Sequence, residues 1–90
     1  MDAPKETRGF TFPGIFEVTA FGPARPDLDA IVLRELAAAG VRPDPSTVRR
    51  RPSRAGNYVA VAVGFWCEDR DLYEDAYARL RAHPAVKWTL

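Results

Sequence analysis

Tyr58-Val59-Ala60-Val61-Ala62-Val63-Gly64-Phe65 is the stretch whose side-chain order decides the architecture. Val59, Val61, Val63 and Phe65 are bulky and apolar, whereas Ala60, Ala62 and Gly64 are small and Tyr58 heads their row. Successive side chains of a strand point to opposite sides, so this alternation predicts a strand over 58–65 with one packed face and one open face. The valine face is the one that packs. Just before it, Ser53-Arg54-Ala55-Gly56-Asn57 has turn chemistry, with Gly56 or Asn57 able to take positive φ. The strand is therefore the second arm of a hairpin. Its first arm is a weaker strand over 46–52, carried mainly by Thr47 and Val48.

Downstream, a helix is predicted over 68–82, with Leu72, Tyr73, Ala76, Tyr77 and Leu80 on one face. Glu68, Asp69 and Asp71 at its start, and Arg79, Arg81 and His83 at its end, complement the helix dipole. Asp75 and Arg79 stand four apart, a pair worth ~0.3 kcal/mol. Pro84 ends the helix, and Val86, Trp88 and Leu90 alternate in a last strand over 85–90. Upstream, residues 14–21 alternate as well, with Phe16, Val18 and Ala20 opposed to Ile15, Glu17, Thr19 and Phe21. Pro26 suits the first turn of a helix over 26–39, whose stripe is Leu28, Val32, Leu36 and Ala39, flanked by Ile31 and Leu33. Gly40 stops that helix, and Pro43 and Pro45 keep it from resuming.

The element order is thus β-α-β-β-α-β. Two helices over one face of a four-stranded antiparallel sheet form the α+β ferredoxin-like arrangement, and right-handed crossovers give the strand order 4-1-3-2. The expected core is Phe16, Val18, Leu28, Val32, Leu36, Val59, Val61, Val63, Leu72, Ala76, Leu80, Val86 and Trp88. Glu17 and Lys87 are expected to face each other across the first and last strands. Residues 1–9 have no period and read as a flexible tail, with a single domain over 10–90.

Ninety residues leave room for one core, and 47% hydrophobic with 28% charged residues excludes a disordered chain. The longest nearly apolar run, Val59 to Cys67, is about half the ~20 residues needed to cross a bilayer. The first nine residues carry no apolar stretch of the secretory kind, and a single cysteine excludes an internal disulfide. A cytoplasmic location is expected. The formal net charge of +1 supplies no global field to attract nucleic acid or an anionic membrane.

No catalytic constellation emerges from the residues. Cys67 and His83 flank a helix of some fifteen residues, about 22 Å at ~1.5 Å per residue, so they do not form a nucleophile–base pair. Ligands for a metal are too few, no glycine loop cradles a phosphate, and no cofactor is expected. Glu35, near the apolar stripe of the first helix, is expected at the stripe's edge with its carboxylate in water. The candidate contact residues for a partner or ligand are Arg49, Arg51, Arg54, Gly56, Asn57, Tyr58, Ala60 and Ala62. Guanidinium forks suit carboxylate and phosphate, while charges and Pro52 on an edge strand also block pairing with another chain. Ala60 and Ala62 leave a flat floor on the open sheet face, rimmed by Ile15, Thr19, Phe21 and Tyr58.

Phe12-Pro13 with Phe16 and Val18, then Pro26-Asp27-Leu28, Pro52-Ser53 before Gly56-Asn57-Tyr58, and an ending on Val86 and Leu90 resemble the YbeD-like family of small bacterial proteins. The resemblance covers residues 10–90, and the Gly-Asn-Tyr hairpin is its most specific piece. Ala55, preceded by Arg54, stands where that family tends to place a lysine. The family is a domain of unknown function whose fold is similar to the ACT-type regulatory domain. The resemblance therefore implies a non-catalytic regulatory or protein-interaction module, with a protein partner, a second copy of the chain or a small-molecule effector. An RNA-binding module of the same element order is the alternative, disfavoured by the charge and by aromatics confined to strand ends. An acylphosphatase-like hydrolase is a third: Arg25 and Asn57 are present, but Gly22-Pro23-Ala24 lacks the glycine-rich loop.

Overall fold

The computed structural model describes residues 11–90, so the reading of residues 1–9 as a tail lies outside the described residues. Six elements follow in order: β1 (Gly14–Pro23), α1 (Leu28–Ala38), β2 (Arg42–Pro52), β3 (Tyr58–Cys67), α2 (Arg70–Ala82) and β4 (Trp88–Thr89). The strands form one antiparallel sheet in the order β2-β3-β1-β4, the expected 4-1-3-2 arrangement.

The valine face of β3 is the buried one. Val59, Val61, Val63, Phe65 and Cys67 pack with Val18 and Ala20 of β1 against Leu28, Ile31, Val32 and Leu36 of α1 and Ala76 and Leu80 of α2. Both helices therefore cover the same side. Phe16 and Leu72 sit at the margin of this core, half buried, and Ala20, Ile31, Val41, Phe65, Cys67 and Ala85 complete it beyond the expected set. At its edge Phe12, Phe16 and Tyr73 stack or meet edge-on at 5.0–5.8 Å between ring centroids, tying α2 to the start of β1.

Local chemistry sets the element ends. Gly40 adopts φ +98° just past α1, a conformation that side chains with a Cβ rarely take. Asp69 caps α2, its carboxylate accepting the Leu72 N–H at 2.9 Å. Gly22 is close-packed: a Cβ there would lie 2.1 Å from the Ala85 carbonyl oxygen.

Five expectations need correction. β2 begins at Arg42 rather than Ser46 and includes Pro43 and Pro45, which an edge strand tolerates because one row of its backbone groups has no ladder partner. Its register with β3 shifts between Asp44 and Arg49. There Thr47 Oγ1 accepts the Gly64 N–H at 2.7 Å and donates to the Asp44 carbonyl at 2.6 Å, a side chain serving where the backbone ladder is interrupted.

Trp88 does not join the core; it is 49% exposed. Opposite Phe21 in the β1–β4 ladder, it lies on Phe21's side of the sheet, away from the helices. Val86 is buried because it follows the turn at Pro84 and Ala85 and precedes the ladder, so strand alternation does not link it to Trp88.

Glu17 and Lys87 do not meet. The Lys87 N–H donates to the Phe21 carbonyl at 2.7 Å and Leu90 pairs with Thr19, so β4 stops short of Glu17. Glu17 pairs with Arg49 of β2 instead. Arg79 likewise passes over Asp75 and reaches Glu35 of α1 at 3.2 Å, where the Glu35 side chain is 17% exposed rather than lying free in water.

Candidate functional site

Strand alternation and register bring a defined set of side chains onto the sheet face away from the helices. β1 contributes Ile15, Glu17, Thr19 and Phe21; β3 contributes Tyr58, Ala60 and Ala62. Arg49 stands opposite Ala62 and Arg51 opposite Ala60. Arg50, opposite Val61, turns the other way, donating to the Arg25 carbonyl and lying 3.8 Å from Asp29. Of three consecutive arginines, the pleat thus assigns two to the open face and one to the helix side.

Four large hydrophobic side chains are exposed among the described residues: Ile15, Tyr58, Trp88 and Leu90. Register places all four on this one face. The Phe21 and Trp88 rings stack at 4.9 Å with 12° between their planes, and Tyr58 tilts toward Trp88 at 6.4 Å. Two contiguous grooves run over the face. One of about 390 Å³ is lined by Phe21, Arg51, Pro52, Ser53, Tyr58, Val59, Ala60 and Trp88. The other, about 480 Å³, is lined by Thr19, Phe21, Arg49, Arg50, Arg51, Ala60, Ala62 and Leu90.

The electrostatics are uneven. The Glu17–Arg49 ion pair crosses β3 and neutralises one guanidinium. Arg42 lies over the Trp66 ring at 5.8 Å and 3.9 Å from Glu68. Arg51 forms no ion pair among the described residues, so it keeps its whole charge at the grooves' shared wall.

The candidate residues separate into two groups. Arg49, Arg51, Tyr58, Ala60 and Ala62 converge on the grooves. Arg54, Gly56 and Asn57 belong to the hairpin tip and line neither. Gly56 takes φ +82° and donates to the Ser53 carbonyl at 3.0 Å, Ser53 N–H closes the hairpin on the Tyr58 carbonyl at 2.8 Å, and the Asn57 carbonyl accepts the Ala24 N–H at 2.9 Å. These contacts account for the Gly-Asn-Tyr hairpin as structure. Trp88 and Leu90 join the face unforeseen, because their side follows from which β1 residue each one opposes.

Other reactive groups are committed elsewhere. Cys67 is buried on the core side, where desolvation pushes its thiol pKa up, and it donates to the Asp69 carbonyl at 3.2 Å. His83 Nδ1 accepts the Ala85 N–H at 3.0 Å. The Arg25 guanidinium forks onto Asp27 at 2.6 and 3.1 Å, so the arginine that an acylphosphatase-like cradle would need already holds a carboxylate. Among the described residues, no group of three or more His, Cys, Asp or Glu side chains could hold a metal, and no helix is long and apolar enough to cross a membrane.

A four-stranded sheet covered by helices on one side, with aromatics and arginines on the other, defines a small ferredoxin-like α+β protein with an open sheet face. Residues 7–90 match the family model described as "Protein of unknown function (DUF493)". A UPF0250 protein of Xanthomonas oryzae pv. oryzae (strain PXO99A) is 45% identical over 82 residues, covering 91% of this chain and 89% of that protein. The UPF0250 proteins of Xanthomonas axonopodis pv. citri and Stenotrophomonas maltophilia are 45% and 44% identical over the same shares. The chain belongs to the DUF493 family of small bacterial proteins, the YbeD-like family that its motifs resemble.

Proposed function

We propose that this protein is a non-catalytic regulatory or interaction module that docks a protein partner on its open sheet face. One observation carries the reading: Tyr58, Trp88 and Leu90, three of the four exposed large hydrophobic side chains, line the grooves on the side of the sheet that no helix covers, and Ile15 stands on the same face toward its other end. A solvated sheet face more often carries long polar side chains, and contiguous apolar surface rimmed by charge is the pattern of a docking patch. The arginines of β2 border that patch and would fix the partner's orientation.

A photo-crosslinking aromatic residue placed at Trp88, with Ala37 on the outer side of α1 as control, tests the reading in living cells. The expected result is a discrete protein adduct from position 88 and none from 37. Ala60→Arg, which fills the floor from a half-buried position, should leave folding intact and remove the adduct. Adducts from both positions alike, or from neither, overturn the reading.

The cluster of Phe21, Tyr58 and Trp88 beside two arginines supports a second reading, a single-stranded RNA surface on which bases stack. Labelled single-stranded RNA titrated at several salt concentrations decides it, since phosphate contacts weaken steeply as salt rises. Glu17, Thr19, Ala60 and Ala62 at the centre of the face favour the protein partner, because base stacking would need rings there.

A further inference from the structure

We propose that the open face holds a slot for a small planar anion, a ring bearing one carboxylate or phosphate, between the Phe21 ring and the Arg51 guanidinium. The inference rests on the open face being a binding surface and adds the chemistry of an occupant.

Phe21, Ala60 and Arg51 form one row across β1, β3 and β2. Only a methyl group occupies the middle of that row. The outer strands of such a row are two strand spacings apart, roughly 9–10 Å. A ring stacks on an aromatic at centroid distances of ~4.5–7 Å, and a guanidinium acts on a ring within ~6 Å. One planar group therefore fits between the two walls, over the Ala60 methyl. Trp88, stacked on Phe21 at 4.9 Å, holds the Phe21 ring, and both rings line the same groove as Ala60 and Arg51.

The slot is bounded. At one end the Glu17–Arg49 ion pair crosses β3, and Thr47 lies against Gly64 beyond it. At the other, Tyr58, Pro52 and Ser53 close the groove. That length suits a single ring better than a polymer.

The charge decides the sign of the occupant. The charged side chains of β1 and β2 on this face are Arg42, Arg49 and Arg51 against Glu17; Glu17 neutralises Arg49, Glu68 lies beside Arg42, and Arg51 forms no ion pair among the described residues. An anionic group on the inserted ring meets Arg51 in a charge-assisted fork. A second copy of the chain would instead bring the same arginines together, which like charge opposes.

The test uses the full chain with 5′-AMP and indole-3-acetate as probes, and adenosine and inorganic phosphate as their halves. Methyl and indole NMR shifts of Ala60, Ala62 and Trp88 report occupancy. Both anionic probes should shift Ala60 and Trp88 saturably, with adenosine and phosphate each about tenfold weaker or worse. Arg51→Gln should weaken both anionic probes by about tenfold and leave adenosine unchanged. Ala60→Leu should abolish binding of all probes; if that variant fails to fold, Phe21→Leu gives the same readout.

No saturable shift with either probe at millimolar concentration overturns the proposal. So do equal affinities for AMP and adenosine, an unaltered Arg51→Gln, or Ala60 shifts that respond to dilution of the chain alone, the mark of self-association. A protein adduct from position 88 together with silence toward both probes leaves the docking surface standing and removes the slot. Binding of the probes without any adduct keeps the slot and removes the protein partner.

Discussion

Phe21 and Trp88 stack at 4.9 Å with their planes 12° apart, on the side of the sheet away from both helices. This ring pair joins a two-residue edge strand to the central strand β1, where only a few backbone hydrogen bonds are available. Each ring shields the other from water, and the pair supplies one wall of the grooves.

Trp88→Ala should lower stability by about 1–2 kcal/mol, combining the lost ring pair with part of the buried apolar area. Trp88→Phe should retain most of it. Urea denaturation followed by far-UV circular dichroism measures both. A Trp88→Ala chain as stable as the parent would mean that β4 is held by its backbone bonds alone.

Thr47 bridges the interruption in the β2–β3 ladder through the Gly64 N–H at 2.7 Å. Thr47→Val keeps the shape and removes the acceptor from a buried donor, at an expected cost of about 1–2 kcal/mol. Thr47→Ser should lie within about 0.5 kcal/mol of the parent. Amide hydrogen exchange at Gly64 gives an independent readout, accelerated in the valine variant and unchanged in the serine variant.

Two glycines should respond differently to alanine. At Gly22 the new methyl would meet the Ala85 carbonyl at 2.1 Å, so the segment before β4 must shift, and a loss of about 3 kcal/mol or more is expected. At Gly56 the space is open and only the φ of +82° opposes a side chain, giving a loss of about 1 kcal/mol. Thermal denaturation of the two variants side by side should rank them in that order.

Stability should fall in strong alkali through Tyr77. Burial pushes its hydroxyl well above the ordinary tyrosine range, with the hydrogen bond to Tyr73 the next cause, and the hydroxyl also bonds the Leu90 carbonyl at 3.1 Å. The unfolded chain gives up this proton near pH ~10 while the folded chain retains it. The folded state then binds more protons, so Tyr77's contribution is whole below about pH 10 and is lost as pH rises beyond it. Tyr77→Phe should flatten the alkaline fall in urea midpoint; an unchanged fall would place its origin elsewhere.

The order of elements, the strand order and the identity of the packed face of β3 were legible in the residues because each rests on a local period. Valine alternation, helical stripes ended by Gly40 and Pro84, and hairpin chemistry at Gly56 all act within a few residues of one another. The core members Val59, Val61, Val63, Leu28 and Val32 follow directly from those periods. About half of the candidate site was legible on the same basis, since alternation along β1 and β3 already places Phe21, Tyr58, Ala60 and Ala62 on one side.

The rest depended on register between segments far apart in the chain, which no local period encodes. Opposite Phe21, Trp88 becomes an exposed ring; shifted by one rung it would be buried beneath α2. Glu17 takes Arg49 rather than Lys87 because β4 ends at the level of Thr19, and Arg79 takes Glu35 because α1 packs against α2. Hydrophobic periodicity and turn chemistry thus determined which surfaces each segment would bury. The partners of charged and aromatic side chains were decided only when backbone pairing brought residues distant in sequence within reach of one another.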